Sequence, residues 1–198
     1  WKQDSLMHTI ALDVTNGKEL WRSKGYQSLG QLGHGAGTWG SPIIMTLEGN
    51  PTVVSYLGNA VFGVDLDTGQ ERWFCDFTKL FKEKMGHFYS SFWPIQVSED
   101  SFQCQVWDDM PQDNWLSRTF LLRIKDDEPE LVWENQGRAV QLHNFTIWDG
   151  YLYAMDSSML SGPDIPNDKA TRRKRQTEYG QLQCLDLETG EIIWHTND

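Results

Sequence analysis

Three copies of one nine-residue pattern limit what this chain can become. Asp13-Val14-Thr15-Asn16-Gly17-Lys18-Glu19-Leu20-Trp21, Asp65-Leu66-Asp67-Thr68-Gly69-Gln70-Glu71-Arg72-Trp73 and Asp186-Leu187-Glu188-Thr189-Gly190-Glu191-Ile192-Ile193-Trp194 all place Asp, Gly and Trp at i, i+4 and i+8. Each copy follows a short apolar run: Thr9 to Leu12, Val61 to Val64, or Gln181 to Leu185. Such a run reads as a strand, and the residues from Asp to Gly read as a tight turn. Gly supplies the positive φ the turn needs, while Asp or Thr side chains bond the turn's own backbone. A second strand, carrying the Trp, completes a β-hairpin. Repetition of this unit implies stacked or radially arranged sheets.

Composition agrees with a β architecture. Ten Trp, nine Phe, six Tyr and seventeen Gly occur in 198 residues, and no segment sustains a helical period. The formal net charge of −11 argues against nucleic acid as a partner, because no net basic surface is present to neutralise phosphates. It also disfavours adhesion to anionic membranes. No apolar stretch approaches the ~20 residues of a membrane span. Cys75, Cys104 and Cys184 are too few and too scattered for a disulfide framework or a Cys-x-x-Cys metal site; they read as small buried hydrophobes, with one disulfide left open. The chain opens in mid-pattern with Trp1 and without an initiator Met, so it reads as a piece of something longer.

Taken in order, residues 1–24 hold half of a repeat. Residues 30–77 form a complete four-stranded set, entered through the Gly-rich approach Gly30-Gln31-Leu32-Gly33-His34-Gly35-Ala36-Gly37. That approach lacks the Lys-Ser/Thr and the helix of a phosphate-binding loop, so its glycines are expected to let backbone pass closely where sheets converge. Lys79 to Met85 predicts a two-turn helix between sheets. Residues 86–135 form the next set, with strands near 90–97, 101–107, 117–125 and 130–134. There Lys125-Asp126-Asp127-Glu128-Pro129 replaces the usual turn, yet Trp133 keeps its place. Residues 138–198 form the last set, with the Asp149-Gly150 hairpin and a long polar insert at 157–179. Trp21, Trp73, Trp133 and Trp194 lie 52, 60 and 61 residues apart, beyond the ~40–45 of a compact four-stranded blade; the inserts account for the surplus. The count is three complete sheets and half of another.

The pattern Ala/Gly-x-Asp-x-x-Thr-Gly-x-x-x-Trp resembles the tryptophan-docking repeat of the pyrroloquinoline-quinone-like β-propellers. Gly40-Ser41-Pro42-Ile43-Ile44 with Val61 to Asp65, and Trp148-Asp149-Gly150-Tyr151-Leu152-Tyr153 with Leu182 to Asp186, are similar to bacterial secreted propellers of the quinoprotein-like kind, including those likened to the outer-membrane-assembly propeller lipoprotein. The resemblance implies an all-β propeller of four-stranded antiparallel blades. About three and a half blades of a seven- or eight-bladed ring would be present, in a periplasmic or extracellular protein. It implies structural roles for Trp21, Trp73, Trp133 and Trp194, packed between blades against Gly17, Gly69 and Gly190. It implies a non-catalytic scaffold that binds a protein or glycan, with the rest of the propeller or a second copy closing the ring. The alternative is a fragment of a quinone-dependent alcohol or sugar dehydrogenase. Those enzymes hold pyrroloquinoline quinone and calcium with a pair of adjacent cysteines and a Glu, Asn and Asp set, and use an Asp base. No Cys-Cys pair occurs here, and Asp13, Asp65 and Asp186 already have turn-capping roles. The expectation is therefore no catalytic, cofactor-binding or metal residue.

His34, His87 and His143 stand near the start of the first strand of successive sheets. With Trp39, and with Trp93 as a second apolar wall, they form a candidate ligand or metal site at the channel mouth; the alternative is that each His bonds a neighbouring loop. Asp108, Asp109 and Asp113 form an acidic loop beside Trp107 and Trp115, without the pattern of a calcium loop, and are expected at a solvated hairpin tip. Arg172 to Arg175 lie in the polar insert, and Asn144-Phe145-Thr146 fits a glycosylation sequon. Neither defines a function.

Overall fold

A computed structural model describes residues 7–26, 40–57, 60–81, 87–89, 93–110, 114–136, 145–157 and 180–196. Apart from one helical turn, the elements in them are β-strands. The first sheet is a hairpin of β1 (Ile10–Leu12) and β2 (Glu19–Arg22). The second contains β3 (Ile43–Leu47), β4 (Asn50–Leu57), β5 (Ala60–Asp65) and β6 (Glu71–Asp76), each paired antiparallel with the next. The third contains β7 (His87–Tyr89), β8 (Ile95–Gln96), β9 (Ser101–Met110), β10 (Asn114–Lys125) and β11 (Glu128–Gln136). There β7 and β8 share one edge of β9, so the first strand of an otherwise four-stranded meander is in two pieces. The fourth sheet repeats the meander with β12 (Thr146–Trp148), β13 (Tyr151–Ser157), β14 (Gly180–Asp186) and β15 (Ile192–His195). This is the form of consecutive propeller blades, and among the described residues no sheet closes into a barrel.

Turn chemistry sets the registers. Glu48-Gly49, Asp126-Asp127 and Asp149-Gly150 are two-residue hairpin turns with positive φ at both positions, the geometry whose twist matches that of the flanking strands. Lys125 to Pro129, which replaces the usual repeat turn, is therefore as tight as the other two-residue turns; two aspartates tolerate the left-handed region that Gly usually occupies. In the three repeat turns the carboxylate does the capping. Asp65 Oδ1 accepts from Asp67 N, Thr68 N and Thr68 Oγ1, and Asp186 Oδ1 accepts from Glu188 N, Thr189 N and Thr189 Oγ1. Asp13 Oδ1 takes the amide and hydroxyl of Thr15.

A β-bulge recurs beside every repeat tryptophan. Trp21, Trp73, Trp133 and Trp194 pair with Ala11, Gly63, Leu121 and Cys184, and the ladder slips immediately after each of those partners. Because one residue of slip changes the face a side chain occupies, the bulge puts all four indoles on the same side of their sheets. The sheets then stack face to face in chain order. Tyr26 and Trp21 join Phe62 and Val64 in a first core; Val54, Trp73 and Cys75 join Phe102, Cys104 and Phe120 in a second; Leu121 and Trp133 join Leu152, Leu185 and Leu187 in a third. β4 and β5 sit between two such cores, so Thr52–Leu57 and Ala60–Val64 are continuously buried.

Two expectations change. The helix is one turn, Phe77–Leu80, rather than two turns from Lys79. Its start is fixed by Asp76, whose carboxylate accepts from Thr78 N and Thr78 Oγ1, and by burial of Phe77; residues 82–86 lie outside the described set. Asp108 and Asp109 are not loop residues: β9 and β10 are longer than the alternation indicated, and these residues pair with Leu116 and Trp115 inside the ladder. Asp113 lies outside the described residues.

Candidate interaction surface

The residues repeated most faithfully build the joints between sheets. Trp21 of the first sheet lies on the turn of the second: Nε1 donates to the Leu66 carbonyl at 2.8 Å, and a Cβ on Gly69 would overlap the ring. Trp133 does the same on the fourth sheet, with Nε1 donating to Leu187 O at 2.8 Å and its ring over Gly190. Asn135 Nδ2 adds a bond to Gly190 O at 2.9 Å. The two joints are superposable in their chemistry: indole on glycine, N–H to the carbonyl of the residue that follows the Asp.

The middle joint differs because the third sheet's turn has no glycine. Trp73 instead stacks on Phe102, with ring centroids 5.5 Å apart and planes 25° off parallel, and it overlies Gly63 of its own sheet. Its Nε1 meets no acceptor among the described residues. Charge replaces the indole bond here. Arg72 pairs with Asp127 at 2.6 Å, and the Glu48 carboxylate accepts from the amides of Asp126 and Asp127. Behind this joint Arg118 is buried, paired with Glu134 and stacked 4.8 Å from the Phe81 ring centroid.

The fourth sheet presents the same face to solvent. Trp194 is 41% exposed, whereas Trp133 is 8% exposed; the ring of Trp194 meets Tyr153 at 6.2 Å. Cross-strand register places Tyr153, Cys184 and Trp194 in one row, and Trp148 and Tyr151 two residues along on the same side. Trp148 precedes its two-residue turn as Leu47 precedes Glu48-Gly49, yet Leu47 is buried and Trp148 is 67% exposed. An exposed cluster of Trp and Tyr on a rigid sheet is the composition of a docking surface. Sequence reading treated Trp148 and Tyr151 only as hairpin residues. The signal was the pair of aromatics flanking Asp149-Gly150, where the second sheet carries Leu47 and Asn50 about its own two-residue turn.

The other candidates fall as follows. His87 lies in β7, its backbone paired with Asp109. His34, Trp39, His143, Asn144 and Arg172 to Arg175 lie outside the described residues, so the channel-mouth constellation is not assembled from described positions. Trp93 is exposed. Gly17 has positive φ and open space where a Cβ would stand. The cysteines are free and buried on three different strands, β6, β9 and β14. Burial pushes the Cys75 thiol up to about 12 and raises that of Cys104.

These residues do not fit a quinone and calcium site. The three thiols are separated and enclosed, with no adjacent pair to carry a planar cofactor, and the repeat aspartates direct an oxygen into their own turns. Hydrogen bonds from the threonines hold all three carboxyls below the usual carboxylate range.

Among solved structures, BamB from Moraxella catarrhalis is similar to this chain, with 16% identity and a TM-score of 0.42. The alignment covers 96% of this chain and 58% of that one, so the chain spans little more than half of that protein's length. No family model matches the sequence, and no curated protein does.

Proposed function

We propose that this chain is part of a non-catalytic, extracytoplasmic β-propeller that acts as a protein-interaction scaffold, with the exposed face of the fourth sheet as its docking surface. The observation that carries the proposal is the pairing of two facts about that face. Its backbone register is that of an inter-sheet joint, and its outward side chains are Trp148, Tyr151, Tyr153 and Trp194. Rigid aromatics bury large areas at small conformational cost, which makes them the usual anchors of protein interfaces. The same side chains also stack on sugars, so a glycan is the competing occupant. The extracytoplasmic assignment rests on the resemblance of the repeat.

A photo-crosslinking amino acid at position 148 of the full-length protein, activated in intact cells, tests the surface. The expected result is a discrete protein adduct that is absent when the crosslinker replaces exposed Lys18 instead. A glycan adduct would replace the protein partner with a sugar. Absence of any adduct, or retention of a quinone chromophore after addition of pyrroloquinoline quinone and Ca²⁺, would overturn the scaffold reading.

A further inference from the structure

The third sheet reaches farther toward one rim than the sheets on either side of it. Aligning the ladders on the residues paired with the repeat tryptophans sets Leu121↔Gln103 of the third sheet level with Gly63↔Val54 of the second and Cys184↔Tyr153 of the fourth. The second sheet then ends at Leu57↔Ala60, level with Val106↔Arg118. The described ladder of the fourth ends at Ser157↔Gly180, level with Trp107↔Ser117. Strands β9 and β10 continue through Asp108↔Leu116 and Asp109↔Trp115 to Met110↔Asn114, with β7 along one edge. Past the end of the second sheet this projection measures about 13 Å, at ~3.3 Å per residue. Both flanking sheets belong to the described residues and pack on the third through the second and third cores.

Register sorts the residues of the projection onto two faces. The face continuous with Leu121 and the buried Gln105 and Thr119 takes two rows, Tyr89–Trp107–Ser117 and His87–Asp109–Trp115. The opposite face takes Phe88, Asp108 and Leu116. On the first face Tyr89 stands directly opposite Trp107, and Trp107 is diagonal to Trp115; such neighbours are about 5 Å and about 7–8 Å apart in an antiparallel ladder. Three aromatic residues therefore form a line across three strands, with His, Asp and Ser in the same rows. No Lys or Arg occurs in β7 or from Trp107 to Ser117.

We infer that this face of the projecting hairpin is a second binding surface, separate from the fourth-sheet face, and that its occupant is a neutral, extended glycan of β-1,4-linked pyranose rings. An all-equatorial chain of this kind is a ribbon with axial C–H groups on its faces and hydroxyls along its edges. It lies along a line of aromatics, while carboxylate, imidazole and hydroxyl groups serve its edges. A line of rings across a sheet does not enclose an ammonium group as an aromatic cage does. Carboxylates without a Lys or Arg among them disfavour uronate-bearing or phosphorylated glycans, because like charges brought together are destabilising.

Calorimetric titration of cellohexaose into the full-length protein tests this, with hexagalacturonate as the anionic comparison. Cellohexaose is expected to bind and hexagalacturonate is not. Trp107→Ala and Trp115→Ala are each expected to weaken binding about tenfold or more, whereas Trp148→Ala leaves it unchanged. Cooperative melting checks that each variant folds. Asp109→Asn, which keeps the residue's shape, replaces an aromatic variant that does not fold and is expected to weaken binding severalfold. Absence of cellohexaose binding, equal binding of hexagalacturonate, or an affinity that Trp107→Ala and Trp115→Ala leave unchanged each overturns the inference. Loss of binding in Trp148→Ala alone would move the glycan to the fourth-sheet face and overturn it equally. Protein adducts from a photo-crosslinker at position 115, in a protein that does not bind cellohexaose, would make the projection a protein-docking site and overturn the glycan assignment. None of these failures touches the adduct expected from position 148, so the two surfaces stand or fall separately.

Discussion

At the scale of single residues, the same amino acid has three different energetic roles. Trp133 is buried, lies on a glycine and has its N–H satisfied at 2.8 Å. Trp73 is buried by stacking on Phe102 without a partner for its N–H among the described residues. Trp194 occupies the same register but faces solvent. Deleting a buried aromatic costs the lost burial and the cavity left behind, so Trp133→Ala is expected to destabilise by ~3–5 kcal/mol. Trp194→Ala, measured where the protein is dilute, is expected to cost about 1 kcal/mol or less. Denaturant melts of the two variants check this, and equal losses would contradict the distinction between occupied and open joints. Position in the repeat revealed that these tryptophans are equivalent. Exposure was not legible, since it depends on which sheet stands next to each.

At the scale of elements, the hairpins were legible because their chemistry is local. Asp-x-x-Thr/Asn-Gly fixes a turn through bonds within a few residues, and Asp149-Gly150 announces a two-residue hairpin. Lys125 to Pro129 was harder, because two non-glycine residues in the left-handed region leave no composition signal. The lengths of β9 and β10 were also hidden: Asp108 and Asp109 look like turn residues, yet the ladder carries them. The repeat turns make a pH prediction. Asp13, Asp65 and Asp186 are held below the ordinary value of 3.8 in the folded chain, so their contribution is present above that value and is lost as pH falls through it toward the folded pKa. Asp65→Asn with Asp186→Asn should therefore lower the melting temperature at neutral pH and lose less than the parent does between about pH 5 and pH 3. Parallel acid losses in parent and variant would remove the carboxylates from the turn's energetics.

At the scale of the whole molecule, the order of stacking follows from the bulge. One slipped residue beside each tryptophan puts Trp21, Trp73 and Trp133 on the side of the following sheet, so the described sheets pack in chain order. The number of sheets was readable from the tryptophan spacing. The candidate site was not, because exposure is set by packing between sheets: Trp148 and Tyr151 read from sequence as hairpin residues like any others. The channel-mouth histidines, conversely, were conspicuous in sequence and lie largely outside the described residues.

Hydroxyl-radical footprinting with mass-spectrometric readout at each tryptophan tests this stacking most directly. In dilute native protein, Trp148 and Trp194 should be oxidised faster than Trp73 and Trp133, with all four reaching similar rates after unfolding. Native rates for Trp73 and Trp133 as high as that of Trp148 would contradict the account, because the sheets would then not be joined through their tryptophans.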